Sequence, residues 1–148
     1  MLGGRGAGKT RLGAEWVRAQ AYGTRPYADQ PGTQIALVGE TEHDVREVMI
    51  EGPSGLLRAC PRVERPLWIP SRRRLEWPNG AVGLAFSAED PEQLRGPQFD
   101  AAWCDELAKW RHDNSVKGSN KMENIFLTTL LVSVVIGVLI IYHVTPEG

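Results

Sequence analysis

The sequence predicts an α/β fold followed by a membrane-spanning helix, and three stretches of chain carry that expectation. Gly3 to Thr10 read GGRGAGKT, a full match to the phosphate-binding loop pattern G-x-x-x-x-G-K-[ST] that opens a helix. Gln34 to Val38 (QIALV) is a short continuous apolar run followed at once by a helix start, the strand–helix unit from which parallel sheets are built. Ile125 to Val144 is a run of twenty residues without Asp, Glu, Lys or Arg.

Taken in order, Arg11 to Ala21 places Leu12, Trp16 and Ala19 on one helical face, and Gly23 marks its stop. QIALV suits a strand buried on both faces. Thr41 to Asp44 resembles a capping box, and Val45, Val48 and Met49 supply the apolar stripe of a helix ending at Gly52. Arg73 to Trp77 and Ala81 to Phe86 flank Pro78-Asn79-Gly80, a hairpin signal that puts Val82, Leu84 and Phe86 on one face. Asp90 to Leu94 reads as one helical turn. Phe99 to Cys104 reads as a strand that delivers Asp105 and Glu106 to its carboxyl end, where open α/β sheets bind ligands.

Composition narrows the field only a little. A chain of 148 residues holds one ordinary domain. Its net charge of −1 gives no electrostatic pull toward nucleic acid. Cys60 and Cys104 follow no metal-ligand spacing and read as a reduced pair, and His43, His112 and His143 form no ligand cluster. No signal peptide is expected, because the chain opens straight into the glycine loop.

The chemistry lies in two motifs. Gly3, Gly4, Gly6 and Gly8, with Ala7 between the last two, let the backbone curl so that successive N–H groups face phosphate oxygens, aided by the positive end of the following helix. Lys9 is expected to reach the β- and γ-phosphates and the Thr10 hydroxyl to ligate magnesium. Asp105 suits magnesium coordination and Glu106 suits orienting the attacking water. A cradle and an acidic pair in this order point to nucleoside triphosphate hydrolysis. Arg5, inside the loop, is placed to contact the γ-phosphate, and Arg95, in LRG, to act as a finger toward a neighbour's nucleotide. The Arg72-Arg73-Arg74 run is open to two readings, a solvated strand edge or a contact for a phosphate backbone.

Composition changes near Arg111. All five tryptophans and nine of the ten prolines precede it, and no arginine follows it. The polar stretch 111–124 reads as a linker, with residues 1–110 as the nucleotide-binding part and 145–148 as a short tail. Fourteen of the twenty residues from Ile125 to Val144 are Leu, Ile, Val or Phe. A helix of that length rises roughly 30 Å, the thickness of a bilayer's hydrocarbon core. Lys117 and Lys121 precede it, so the amino-terminal part is expected on the cytoplasmic side of a single-pass anchor. The shift has the look of two coding sequences joined, with Met122 as a candidate start of the second.

Four segments, GGRGAGKTRLGAEWVRA, IALVGET, SRRRLEWPNGAVGLAFSA and LRGPQFDAAWCDELAKW, together resemble the large terminase subunit of tailed phages, prophages and gene transfer agents over roughly residues 1 to 110. The resemblance implies a P-loop NTPase sheet of the additional-strand type, and an ATP- and Mg2+-dependent motor that threads double-stranded DNA into a capsid. It implies work as a homo-oligomer with a portal and a small terminase subunit, in the host cytoplasm. Lys9 and Thr10 match the family's phosphate loop, Asp105 its magnesium-binding acid, Glu106 its catalytic glutamate, Arg5 its loop arginine and Arg95 its trans-acting finger. The family carries a strand before the loop, a coupling strand after the acidic one and a nuclease domain. Here Met1 and Leu2 alone precede the loop, and the apolar tail has no counterpart, so the sheet is expected to be incomplete and hydrolysis impaired. The other reading is a single-pass membrane protein whose nucleotide-binding head has lost catalysis. A helicase is disfavoured by the LRG and hairpin segments.

Overall fold

The structure is a computed structural model that describes residues 7–105. Its centre is a five-stranded mixed sheet in the order β2-β3-β4-β1-β5, formed by β1 (Gln34–Gly39), β2 (Leu67–Ile69), β3 (Arg74–Glu76), β4 (Val82–Ser87) and β5 (Ala101–Cys104). β1 pairs in parallel with both β4 and β5, while β2 and β3 pair antiparallel. The expected α/β class holds. The sheet is parallel only in its β4-β1-β5 part, because the 78–80 turn is too short for anything but an antiparallel return.

Alternation along the strands separates two apolar layers. Ile35, Leu37, Leu75, Ala85, Ala101 and Trp103 face one side and form one core with α1 (Ala7–Tyr22), with the helical segment that follows β1, and with α3 (Leu56–Ala59). Ala36, Val38 and Phe86 face the other side, where Leu94 and Phe99 cover them. Phe86 and Phe99 meet edge to face with centroids 5.5 Å apart, a favoured aromatic geometry. β1 is thus apolar on both sides, as a central parallel strand requires.

α1 buries Ala14, Val17 and Ala21, with Trp16 and Ala19 beside them. Leu12, expected on the buried face, is 49% exposed. Thr10, Ala14, Val17 and Ala21 have an equally good helical spacing, and their small side chains let the helix lie close to the sheet. Gly23 ends α1 with a positive φ of 65°, as expected of a helix-stopping glycine.

Thr41 caps the next helical segment, its hydroxyl oxygen accepting from the Asp44 amide at 3.1 Å. The segment begins as α2 (Glu42–Asp44) and continues as π-helical turns over Val45–Ile50. That widening explains why Val45, Met49 and Ile50 are buried, whereas Val48, expected in the stripe, is exposed. With more than four residues per turn, positions four and five apart share a face.

The hairpin forms where Asn-Gly predicts it. The Gly80 amide donates to the Trp77 carbonyl, the Trp77 amide donates to the Ala81 carbonyl, and Gly80 takes φ 91°. That is the three-residue turn with a left-handed glycine. Asn79 also donates from Nδ2 to the Ala21 carbonyl at 2.7 Å, so the turn closes the carboxyl end of α1. Asp90 to Leu94 contains the expected turn, a 3-10 segment at Pro91–Leu94.

At the start of β5, Asp100 Oδ2 accepts from the amides of Thr33 and Gln34 and from the Thr33 hydroxyl, at 2.6, 2.9 and 2.8 Å. Burial works against its charge, but these bonds, that from Gln34 foremost, outweigh it and hold the carboxyl below its ordinary pKa. A depressed folded-state pKa gives stability that is present above the unfolded value, about 3.9, and is lost as pH falls through the folded value. Asp100→Ala is therefore expected to cost about 1 kcal/mol at neutral pH, given the carboxylate's exposure. The deficit should shrink as pH falls below about 4. Urea denaturation of both proteins at pH 7 and pH 3 checks this, and an equal deficit at both would contradict it.

Cys60 and Cys104 are free, and burial pushes the Cys60 thiol up to about 11. Among the described residues no helix is long and apolar enough to cross a membrane. The expected span Ile125–Val144, its linker and its tail lie outside the described residues.

Candidate functional site

The orientation of α1 follows from contacts at both its ends. Its carboxyl end meets Asn79 in the turn that precedes β4, and the Gln20 carbonyl accepts from Gly32, just before β1. Both partners lie at the amino-terminal edge of the parallel strands. Further up the helix, Gly13 lies against the indole of Trp103 on β5. α1 therefore runs antiparallel to β1, β4 and β5, with its amino end at the edge where those strands finish.

This brings the described parts of the two motifs to one edge of the sheet. From Gly13 back to Thr10 is three helical residues, an axial rise of roughly 4.5 Å. From Trp103 on to Asp105 is two extended residues in the same direction, roughly 6.6 Å. Thr10 and Asp105 thus both lie beyond that contact, toward the edge where the parallel strands finish. The place of Asp105 along the sheet is fixed, because its amide donates to the Val38 carbonyl at 3.0 Å and continues the β1–β5 ladder beyond Cys104.

Thr10 is 6% exposed, while Gly8 and Lys9 are exposed at the helix start. The first turn of α1 holds no acidic residue, so its positive end is not neutralised by its own side chains. Arg11 is bound to Glu15 one turn on, at 2.8 Å. Among the described residues Lys9 is the cation left at this end of the helix for an anionic ligand. A threonine hydroxyl and one carboxylate at the same edge of the sheet are hard oxygen donors of the kind magnesium takes beside phosphate and water. Among the described residues no group of three or more His, Cys, Asp or Glu side chains is arranged to hold a metal.

The other expected site residues divide. Gly3, Gly4, Arg5, Gly6 and Glu106 lie outside the described residues. Arg95 follows the 3-10 turn after β4 and pairs with Glu92 at 3.3 Å. The arginine run is split. Arg73 binds Glu42 and Gln93, Arg74 binds Glu76 at 2.7 Å, and Arg72 alone of the three is exposed and unpaired among the described residues. A cleft of about 300 Å³ between the 42–47 helix and Trp68, Pro70 and Arg73 lies apart from the loop. Its arginines are already neutralised, Arg73 by Glu42 and Arg46 by Glu47 and Glu51.

Comparison with protein families matches residues 1–121 to the large terminase subunit, T4likevirus-type, N-terminal region. The chain belongs to the terminase large-subunit family. The matched region is the ATPase part of a terminase, the protein that packages DNA, and no nuclease region is matched. The match runs past Arg111 into the stretch whose composition suggested a linker. Comparison with curated proteins and with solved structures gave no match.

One feature of this terminase region that motif reading misses is the contact between Gly13 and Trp103. A glycine inside a helix reads as a local weakness. Its purpose shows only once the strand packed against it is known.

Proposed function

We propose that this chain binds Mg·ATP between the loop that opens α1 and the carboxyl end of β5, and hydrolyses it as the ATPase part of a DNA-packaging terminase. The observation that supports this most is the placement of Thr10 and Asp105 at the same edge of the parallel strands, set by α1 lying antiparallel on β5. In this reading the loop amides and the end of α1 hold the phosphates, and Lys9 draws the γ-phosphate toward the helix. Thr10 and Asp105 would hold the metal. Magnesium, when bound, would withdraw charge from the phosphate oxygens. Glu106 follows Asp105 directly and would orient a water for in-line attack on the γ-phosphate. Arg5 and a neighbour's Arg95 would offset the charge that develops there. Double-stranded DNA, a portal and a small terminase subunit are the partners the family implies, with the working form an oligomer.

The test separates binding from chemistry. Glu106→Gln is expected to leave ATP affinity within a few-fold and to remove hydrolysis, by roughly a hundredfold or more if the carboxylate acts as general base. Equilibrium binding and phosphate release on the same preparations check it. Hydrolysis that survives the substitution would contradict the role given to Glu106.

A further inference from the structure

The packing of Gly13 on Trp103 goes beyond close contact between a helix and a strand. An added Cβ at Gly13 would stand 2.5 Å from Cζ2 of the indole, and nearer still to Cε2 and Nε1. Relaxed contact between carbons needs about 3.5 Å. The indole has little freedom to retreat. Trp103 is 8% exposed, is a member of the main core, and sits on a strand whose register against β1 pairs it with Leu37. Any side chain at position 13 would thus lift α1 from β5 by roughly 1 Å or expel the ring.

The place of this contact gives it meaning. Gly13 is one helical turn from Thr10, and Trp103 is two residues from Asp105, on the same side of the sheet as α1. The joint thus ties together the two elements that carry the proposed metal ligands. Resting on the nucleotide reading above, we propose that Trp103 is a positioning residue, and that its seat on Gly13 sets the separation of Thr10 and Asp105 at which one magnesium ion is shared beside a bound triphosphate. Trp103 itself touches neither nucleotide nor metal in this account. It acts as a spacer of fixed thickness.

A spacer makes a selective demand. Phosphate contacts from Lys9 and the first amides of α1 belong to α1 itself, so affinity for metal-free ATP should be preserved when the spacing changes. The gain in affinity on adding magnesium depends on ligands from both bodies and should be lost. Groups that orient metal ligands without touching the metal typically govern affinity by tenfold to a hundredfold.

The experiment measures ATP affinity of the full chain with magnesium and with EDTA, well below the melting temperature of each variant. The wild type is expected to bind more tightly with magnesium. Gly13→Ala should reduce that gain by roughly tenfold or more, with affinity in EDTA changed by less than about threefold. Trp103→Leu removes the bulk beneath an added methyl, so Gly13→Ala combined with Trp103→Leu should regain most of the magnesium effect, although each change alone loses it. Protein melting followed by circular dichroism should not rank the variants in the same order as the magnesium gain. A wild-type gain that survives Gly13→Ala, or a loss that the second change does not restore, would overturn the proposal alone. A wild type that binds no ATP in either condition would remove the nucleotide reading and the proposal with it.

Discussion

Lys9→Ala is expected to weaken ATP binding by roughly tenfold to a hundredfold while leaving the fold intact. Lys9 is exposed at the start of α1, so its truncation removes no core packing. It is also the only lysine among the described residues, and the neighbouring Arg11 is held by Glu15. No other cation on that first turn is placed to take its role. A hydrogen bond to a charged group contributes about 1.5–3 kcal/mol, which corresponds to the stated loss. The loss should be seen with magnesium and with EDTA alike, because the ammonium meets phosphate directly. Titration with a fluorescent ATP analogue measures it, and an unchanged melting temperature shows that folding was not the cause. Unaltered affinity would mean that phosphate is held elsewhere.

The second large effect is on stability. Leu37→Ala is expected to cost about 2–5 kcal/mol, out of a typical domain total of about 5–15 kcal/mol. Leu37 is fully buried at the middle of β1, and its register partners are Ala85 on β4 and Trp103 on β5. A cavity there would loosen both neighbouring strands, including β5 with Asp105 at its end. Leu67→Ala is the matched control, since Leu67 is 62% exposed on the edge strand β2 and should change stability by less than about 0.5 kcal/mol. Chemical denaturation of both variants gives the comparison. Equal midpoints would contradict the placement of β1 at the centre of the core.

Features set by local chemistry were legible in the sequence. Asn79-Gly80 specified its turn because few residues accept the left-handed conformation the turn needs, and Thr41 specified a helix start through its own hydrogen bond. QIALV announced a strand covered on both sides. What failed was phase and partnership. Val48 reads as core under an α-helical period, but the chain widens into π turns and turns it outward. Leu12 is more apolar than Ala14, yet the smaller residue takes the core because α1 approaches the sheet so closely. The arginine run looked like one feature, and Arg73 and Arg74 turned out to have different acidic partners. Likewise, the phosphate loop and the acid at 105 were visible as motifs, but the joint at Gly13 and Trp103 depends on two residues ninety positions apart and had no local signature.

In the proposed site the start of α1 and the end of β5 hold one metal–triphosphate between them. Iron(II) replaces magnesium in such sites and, with ascorbate and peroxide, cuts the backbone next to where it binds. With ATP present, cuts are expected at two separate places, around Thr10 and around Asp105, and both should vanish in Lys9→Ala. Cutting at only one of the two, or at both equally without ATP, would contradict the account.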